Sequence, residues 1–442
     1  MFRLMLVMVS VCFALFSTFL SVQAAEAPGK KTPKIVAIAT GAGHSLVLDD
    51  QGDIWGWGDS YYGQVGNWAD LEGKGEEWHI LRPTKAKHRV DGAVSLSAGI
   101  NFSTALTKEG DVFSWGSNQN LALGFLPIEL ETNPIPEKLK EISDVKQVVA
   151  SYARTTVRKS DGTVWVWGSR VWGQQLDDPG TTQESYKEFE KRLAEYRAAL
   201  STWGEKSMYE YIVQVKGVDR VVSIADGFSH TLALKEDGTV WSWGQESRGQ
   251  LGNGSTNHNL LPTKVKGLEN VTAIAAGFSL HNLAVKKDGT VWAWGNNNYG
   301  QLGDGTKTNR FLPVQVKGLT DVVSVAVGNE QSFAIKKDGS VWAWGRNTQG
   351  RLGLGTNTME NMIPAKVVGL TDVIAISSGY HHVLALKKDG TVWSWGVNES
   401  GQIGDGTQTR YGTSPETSDY HDKKVPVKVE FGLQMLTTTK PT

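Results

Sequence analysis

Tryptophan offers this 442-residue chain most of its surface chemistry, and it occurs seventeen times. An indole can stack on a flat ligand, hold a cation over its face, or bury roughly 150–250 Å² against protein. Spacing separates these uses. Trp55 and Trp57, Trp115, Trp165 and Trp167, Trp241 and Trp243, Trp292 and Trp294, Trp342 and Trp344, and Trp393 and Trp395 recur two residues apart at one place in a repeating unit, with Phe113 completing the Trp115 pair. Identical placement in every copy is what a core demands, so these thirteen are assigned to the framework rather than to carbohydrate or cofactor stacking. Trp68, Trp78, Trp172 and Trp203 stand outside the pattern, in inserts and variable loops, and are candidates for partner binding.

Two further columns vary while their neighbours hold still. The residue before a loop glycine is Tyr62, Asn120, Trp172, Arg248, Tyr299, Gln349 or Ser400, and a bend position carries Ile100, Tyr152, Phe228, Phe278, Asn329 or Tyr380. Aromatics and Arg at loop tips on a rigid scaffold are the residue types of binding hot spots. Tyr62, Trp172, Tyr299 and Arg248 are therefore binding candidates, whereas Tyr152, Phe228, Phe278 and Tyr380 can equally bind or cap a core. His44, His230 and His382, with His281 displaced by one residue and Phe102, Arg154 and Gln331 substituting elsewhere, lie a repeat apart. Structural hydrogen bonds to neighbouring backbone carbonyls suit them better than one metal ion. No HExxH, EF-hand, Walker loop or nucleophile elbow occurs, and no carboxylate pair stands out as acid and base. A non-enzyme without cofactor or metal is expected.

What positions these residues is the octet Asp237 to Gly244, Asp-Gly-Thr-Val-Trp-Ser-Trp-Gly, present in seven lightly varied copies that start at Gln51, Glu109, Asp161, Asp237, Asp288, Asp338 and Asp389. The closing glycines (Gly58, Gly116, Gly168, Gly244, Gly295, Gly345, Gly396) are 58, 52, 76, 51, 50 and 51 residues apart. In the fourth copy Val221–Ala225 and Thr231–Lys235 alternate as strands, Asp237-Gly238 signals a two-residue hairpin into Val240–Trp243, Gly249-Gln250-Leu251-Gly252 is a loop, and Pro262–Val265 a fourth strand. Four short antiparallel strands, seven times over, predict an all-β, seven-bladed β-propeller. Within each aromatic pair the intervening residue is small in all copies but Val166, so large side chains of one blade can seat on the shallow face of the next. The last strand, Lys423 to Val429, is expected beside Lys34 to Ala39, completing either its own blade or the first.

Inserts interrupt the period at about 68–79, 177–211 and 408–424. The second carries the capping box Ser185-Tyr186-Lys187-Glu188 and apolar residues at helical spacing, which predicts one amphipathic helix in the third repeat. Residues 1–24 read as a signal peptide: Arg3, an apolar run from Leu4 to Leu20, and Val22-Gln23-Ala24 before the cleavage site. Residues 25–33 are then a linker, 34–429 the propeller and 430–442 a tail. The only cysteine, Cys12, would leave with the signal, so the exported chain, secreted or periplasmic, holds together without disulfides. Formal charge is −1 and no basic tract appears, which speaks against nucleic acid and anionic membranes as partners; no membrane span remains after cleavage, and a monomer is expected.

The unit Ile-Ala-Ala-Gly-x-x-His-x-Leu-Ala-Leu-Lys-x-Asp-Gly-x-Val-Trp-x-Trp-Gly-x-Asn-x-x-Gly-Gln-Leu-Gly, most complete at 274–303 and 376–404, resembles the regulator of chromosome condensation repeat over roughly Lys34 to Val429. The resemblance implies a seven-bladed propeller and several functions: a nuclear exchange factor for a small GTPase, ubiquitin-ligase modules, and secreted bacterial members, one group of which inhibits β-lactamases. A signal peptide makes the chain closest in type to the secreted bacterial members and argues for a secreted, non-catalytic scaffold that binds an unidentified protein, with inhibition of an exported enzyme of the β-lactamase kind as its narrower form. Cell-wall or glycan binding through exposed indoles is the alternative, and nucleotide exchange the remote one.

Overall fold

Each copy of the repeat folds into one four-stranded antiparallel sheet whose strands follow in chain order, giving seven blades. The structure, a computed structural model, describes residues 33–66, 78–125, 132–169, 212–412 and 418–432, all within the unit Pro33–Thr442. The first strands of the blades are Ile35–Thr40, Ala93–Ala98, Val145–Ser151, Val221–Asp226, Val271–Ala276, Val322–Val327 and Val373–Ser378. Each packs against the first strand of the next blade, and the seventh packs against the first, so they ring a central channel. Each also carries a β-bulge at its second residue. Among the described residues, helix is limited to short 3-10 turns such as Gln119–Leu121 and Thr348–Gly350, and no helix is long and apolar enough to cross a membrane. The amphipathic helix expected within 177–211 lies outside the described residues.

The Asp-Gly turn differs from the sequence expectation. Leu234 pairs with Val240, and Lys235 N–H donates to Thr239 O, so three residues form the loop rather than two. Gly238 takes the left-handed conformation (φ +77°) that such a loop needs. Asp237 Oδ1 accepts from both Thr239 N–H and Oγ1–H at 2.9 and 2.6 Å. These hydrogen bonds hold its carboxyl below the usual range, as the equivalent bonds do for Asp161, Asp288 and Asp389.

The core is a set of interfaces. Trp344 of blade 6 sits among Leu283, Val285, Ala293 and Leu302 of blade 5, and Trp395 of blade 7 sits on Phe333, Ile335 and Ala343 of blade 6. Large on small holds as expected. The two members of each aromatic pair are unequal, however. The second Trp (57, 115, 167, 243, 294, 344, 395) is buried, while Trp55, Trp165, Trp241, Trp292, Trp342 and Trp393 are half-buried. Lysines lie over the outer rings, as Lys286 does 5.2 Å from the Trp292 centroid.

Six of the seven inner indoles donate Nε1–H to a backbone carbonyl in the loop of the preceding blade that corresponds to Gly249-Gln250-Leu251-Gly252. Trp57 reaches Gln402 O (2.9 Å), Trp115 reaches Gln64 O (2.8 Å), Trp167 Ala122 O (3.1 Å), Trp294 Gln250 O (3.1 Å), Trp344 Gln301 O (2.8 Å) and Trp395 Arg351 O (3.1 Å). The corresponding blade-3 loop lies outside the described residues. The final glycine of the loop is required by this contact. Gly404 has φ +80°, and a Cβ there would stand 2.7 Å from Trp57 Nε1.

The histidines tie the same boundaries. His382 Nε2 lies 2.9 Å from Ser45 Oγ, which itself donates to Gln402 O at 3.0 Å, so the ring is the donor to the serine. His44 meets Ser103 (3.0 Å), His281 meets Ser332 (3.0 Å) and His230 meets Asn282 Oδ1 (2.6 Å). Their partners are side chains of the next blade, not the backbone carbonyls expected; the hydroxyl or amide relays the bond to the carbonyl. Burial pushes these imidazoles down to about 3 for His44, His281 and His382 and about 4 for His230.

The ring closes without strand exchange. The last strand, Lys423–Lys428, pairs with Val392–Gly396 and completes blade 7 at its outer edge, away from the inner strand Ile35–Thr40. Beyond that strand, Val429 joins Ile35, Val47 and Trp57 with Leu384, Leu386 and Val392 in the core between blades 7 and 1, and Phe431 packs edge-on against Trp55 and Trp57 at 5.8 and 6.1 Å.

Trp344→Phe, which removes the bond to Gln301 O and leaves a small void, should cost about 2 kcal/mol, against less than about 1 kcal/mol for Trp342→Phe, read from urea midpoints. The unfolded chain protonates these four histidines near pH 6.5, the folded one only near 3 to 4. Stability should therefore fall as pH drops from 6.5 towards 4, by up to about 1.4 kcal/mol per pH unit for each buried imidazole. His382→Gln, with the residue found at 331, should flatten the slope of Tm against pH across that window.

Candidate functional site

Antiparallel succession brings the first-to-second bends and the third-to-fourth connections of all blades to one face, and the Asp-Gly hairpins to the other. Every insert interrupts a third-to-fourth connection, so the variable residues and the bend aromatics share the loop face.

Near the channel the bend aromatics pack on one another. Tyr152 and Phe228 meet edge-on with centroids 4.6 Å apart, and Phe278 meets Tyr380 at 4.7 Å although blade 6 separates their blades. All four are half-buried, and Phe278 lines the channel. Burial raises the Tyr380 phenol, with Tyr152 adding to the effect. They form a roof of rings at the loop-face end of the channel.

Farther out, an arc runs across blades 5, 6, 7 and 1. The Arg346 guanidinium lies 4.8 Å over the Tyr299 ring and bonds Glu330 Oε2 at 2.7 Å. Glu330 also faces Arg351 (3.7 Å), whose burial lowers its guanidinium to about 10. Gln349 Nε2 donates to Tyr411 Oη at 2.8 Å, and that hydroxyl donates to Glu399 Oε1 at 2.8 Å. Burial and the Glu399 contact both push the Tyr411 phenol up. Tyr420 packs on Tyr411 at 5.8 Å, and backbone bonds between Arg410 and Asp419 close this hairpin. Gln408 Nε2 lies 2.6 Å from His79 Nδ1, joining blade 7 to blade 1. There Tyr61 packs on Tyr62 (4.8 Å) and Trp78 (5.3 Å). Tyr61, Tyr411 and Tyr420 are 51%, 55% and 58% exposed, large for tyrosines held this firmly.

Of the predicted residues, Tyr62, Trp78 and Tyr299 thus enter the arc. Arg248 is exposed on blade 4, away from it, with its N–H bonded to Gln250 Oε1. Trp68, Trp172 and Trp203 lie outside the described residues. Tyr61, Arg346, Glu399 and the pairing of Tyr411 with Tyr420 were not singled out as site residues, since each becomes part of a surface only through a neighbouring blade. Among the described residues no group of three His, Cys, Asp or Glu could hold a metal ion.

The description "RCC1-like domain" matches residues 198–437, and "Regulator of chromosome condensation (RCC1) repeat" matches 35–64, 93–120 and 109–157. The chain belongs to the RCC1 repeat family. This RCC1 propeller is 30% identical over 380 residues to the ultraviolet-B receptor UVR8 of Arabidopsis thaliana, covering 84% of this chain and 67% of that one. It is 31% identical over 281 residues to the human E3 ubiquitin-protein ligase HERC2, which is 62% of this chain but 5% of the ligase. Among solved structures, Prp20p of Saccharomyces cerevisiae, described with its binding to Gsp1p and histones, superposes with a TM-score of 0.67 at 23% identity, covering 86% of each chain. That likeness carries the fold. These relatives are eukaryotic, and the expected kinship with secreted β-lactamase inhibitors finds no support among them.

Tyr411→Phe breaks the hydroxyl bridge between Gln349 and Glu399 on an exposed hairpin and should change Tm by less than about 2 °C, whereas Tyr380→Ala opens the roof and should lower it by several degrees. Differential scanning fluorimetry distinguishes the two.

Proposed function

We propose that this RCC1 propeller is a non-catalytic scaffold that binds a protein partner through its loop face. The observation that carries the reading is the arc from Tyr299 and Arg346 through Tyr411 and Tyr420 to Tyr61, Tyr62 and Trp78. It sets half-exposed aromatics and an arginine in fixed positions across four blades. UVR8, a receptor, and Prp20p, described with protein partners, are consistent with such use of the fold. The N-terminal pattern of Arg3, Leu4 to Leu20 and Val22-Gln23-Ala24 supports export, with the partner met outside the cytoplasm.

Affinity capture from periplasm or medium, followed by mass spectrometry, should recover one dominant partner. Tyr62→Ala combined with Tyr299→Ala should weaken that capture about tenfold or more while Tm stays near wild type; unchanged capture would remove the arc from the interface. The captured bait itself should begin at Ala25, and an intact Met1 would end the export reading.

A further inference from the structure

The inner strands end in a column of small residues, Thr40, Ala98, Ser151, Ala276, Val327 and Ser378, except in blade 4, where the position is Asp226. These ends line a cavity of about 180 Å³ in the channel, with Ile38, Leu96, Val149, Ser97 and Ser377 below and Phe278 at the roof. Asp226 is the one charged residue in that lining, and its side chain is 1% exposed.

Only half of its carboxylate is engaged. Oδ1 accepts from Thr231 Oγ1 at 2.5 Å and lies 3.4 Å from Arg154 Nη2. Oδ2 is buried with no hydrogen-bond partner, as is Ser378 Oγ on another side of the same cavity. A buried carboxylate oxygen left without a donor is costly, so the geometry calls for a donor from outside the chain. The other hydroxyls are largely committed: Ser151 to Gly227 O, and Thr40 to Ser377.

We propose that the central channel is a binding site for a primary ammonium on a short alkyl stem. An ammonium matches one free oxygen, whereas a guanidinium needs both and Oδ1 is taken. Ile38, Leu96, Val149 and Val327 give the stem an apolar wall, with Phe278 completing the lining. The same chemistry comes from a free small amine or from a lysine side chain of a protein docked on the loop face. The second source rests on the proposed function; the first does not.

The probes are n-butylammonium chloride, n-butanol as neutral control, sodium chloride as ionic control, and a lysine-centred pentapeptide, titrated into the full chain by calorimetry with Tm as second readout. Butylammonium should bind with one-to-one stoichiometry and raise Tm, with n-butanol and sodium chloride inert. Asp226→Asn should weaken binding about tenfold or more. Because that change strands Arg154, the pair Arg154→His and Asp226→Ala is the second variant: it restores residues found at these positions in other blades, and should fold and bind nothing. Tighter binding of the pentapeptide than of butylammonium identifies a lysine as the source; the reverse identifies a free amine. No heat from either probe with the fold intact, equal binding of butanol, or a crystal structure grown with butylammonium showing only water at Asp226 Oδ2 overturns the proposal. Because no partner protein enters these titrations, failure of the loop-face reading leaves their outcome untouched.

Discussion

One carbonyl oxygen at each blade boundary governs the assembly of this ring. Gln301 O receives the indole N–H of Trp344 and the hydroxyl of Ser332, both from the next blade; Gln64 O receives Trp115 and Ser103 in the same way. A carbonyl has two lone pairs, and here both are spent across an interface rather than within a sheet. The indole must lie flat on the preceding loop, so that loop must end in glycine. The blade behind it must present small side chains such as Ala293. Much of the repeat signature follows from satisfying that one acceptor in a dry interface.

The same constraint frees the rest of the surface. Residues that hold the ring face sideways between blades, so the ends of the strands can vary without loosening the joints. The loop face has exploited this with inserts and with tyrosines braced by neighbours, as Tyr411 is by Gln349 and Glu399. In blades 3 to 7 the hairpin face repeats almost unchanged, because each Asp-Gly turn is closed by its own threonine or serine, whereas in blades 1 and 2 Asp49 and Thr107 accept from the turn backbone instead. Variation is concentrated on one side and repetition on the other.

The fold was legible in the sequence because the period, the paired aromatics and the glycine turns, Asp-Gly in five of the seven copies, are local signals repeated along the chain. The inequality of the paired indoles was not, since residues two apart share a face and only the curvature of the assembled ring decides which one is inside. The histidine partners were half-legible: the column was visible, but Ser45 and Asn282 sit next to other histidines and reach across a boundary that sequence order hides. For the site, Tyr62, Trp78 and Tyr299 stood out as departures from the repeat. The roof of Tyr152, Phe228, Phe278 and Tyr380 could not be read as a unit, because Phe278 and Tyr380 belong to blades that are not neighbours. Asp226 carried a signal, an acid in a column of small residues, that only gained meaning beside a channel.

Because blade 7 keeps its own fourth strand, no backbone ladder crosses the junction with blade 1. That junction is fastened as the others are, by Trp57 on Gln402 O, His382 on Ser45 and the side chains around Ile35 and Val429, plus backbone bonds from Ile35 N–H to Gly390 O and from Gly406 N–H to Leu81 O. A ring with a shared strand is latched at one special place. This one is closed by joints of the same kind as its neighbours, with no peptide connection across the seam, so thermal breathing should begin there and pass around the circle as neighbouring blades lose one flank.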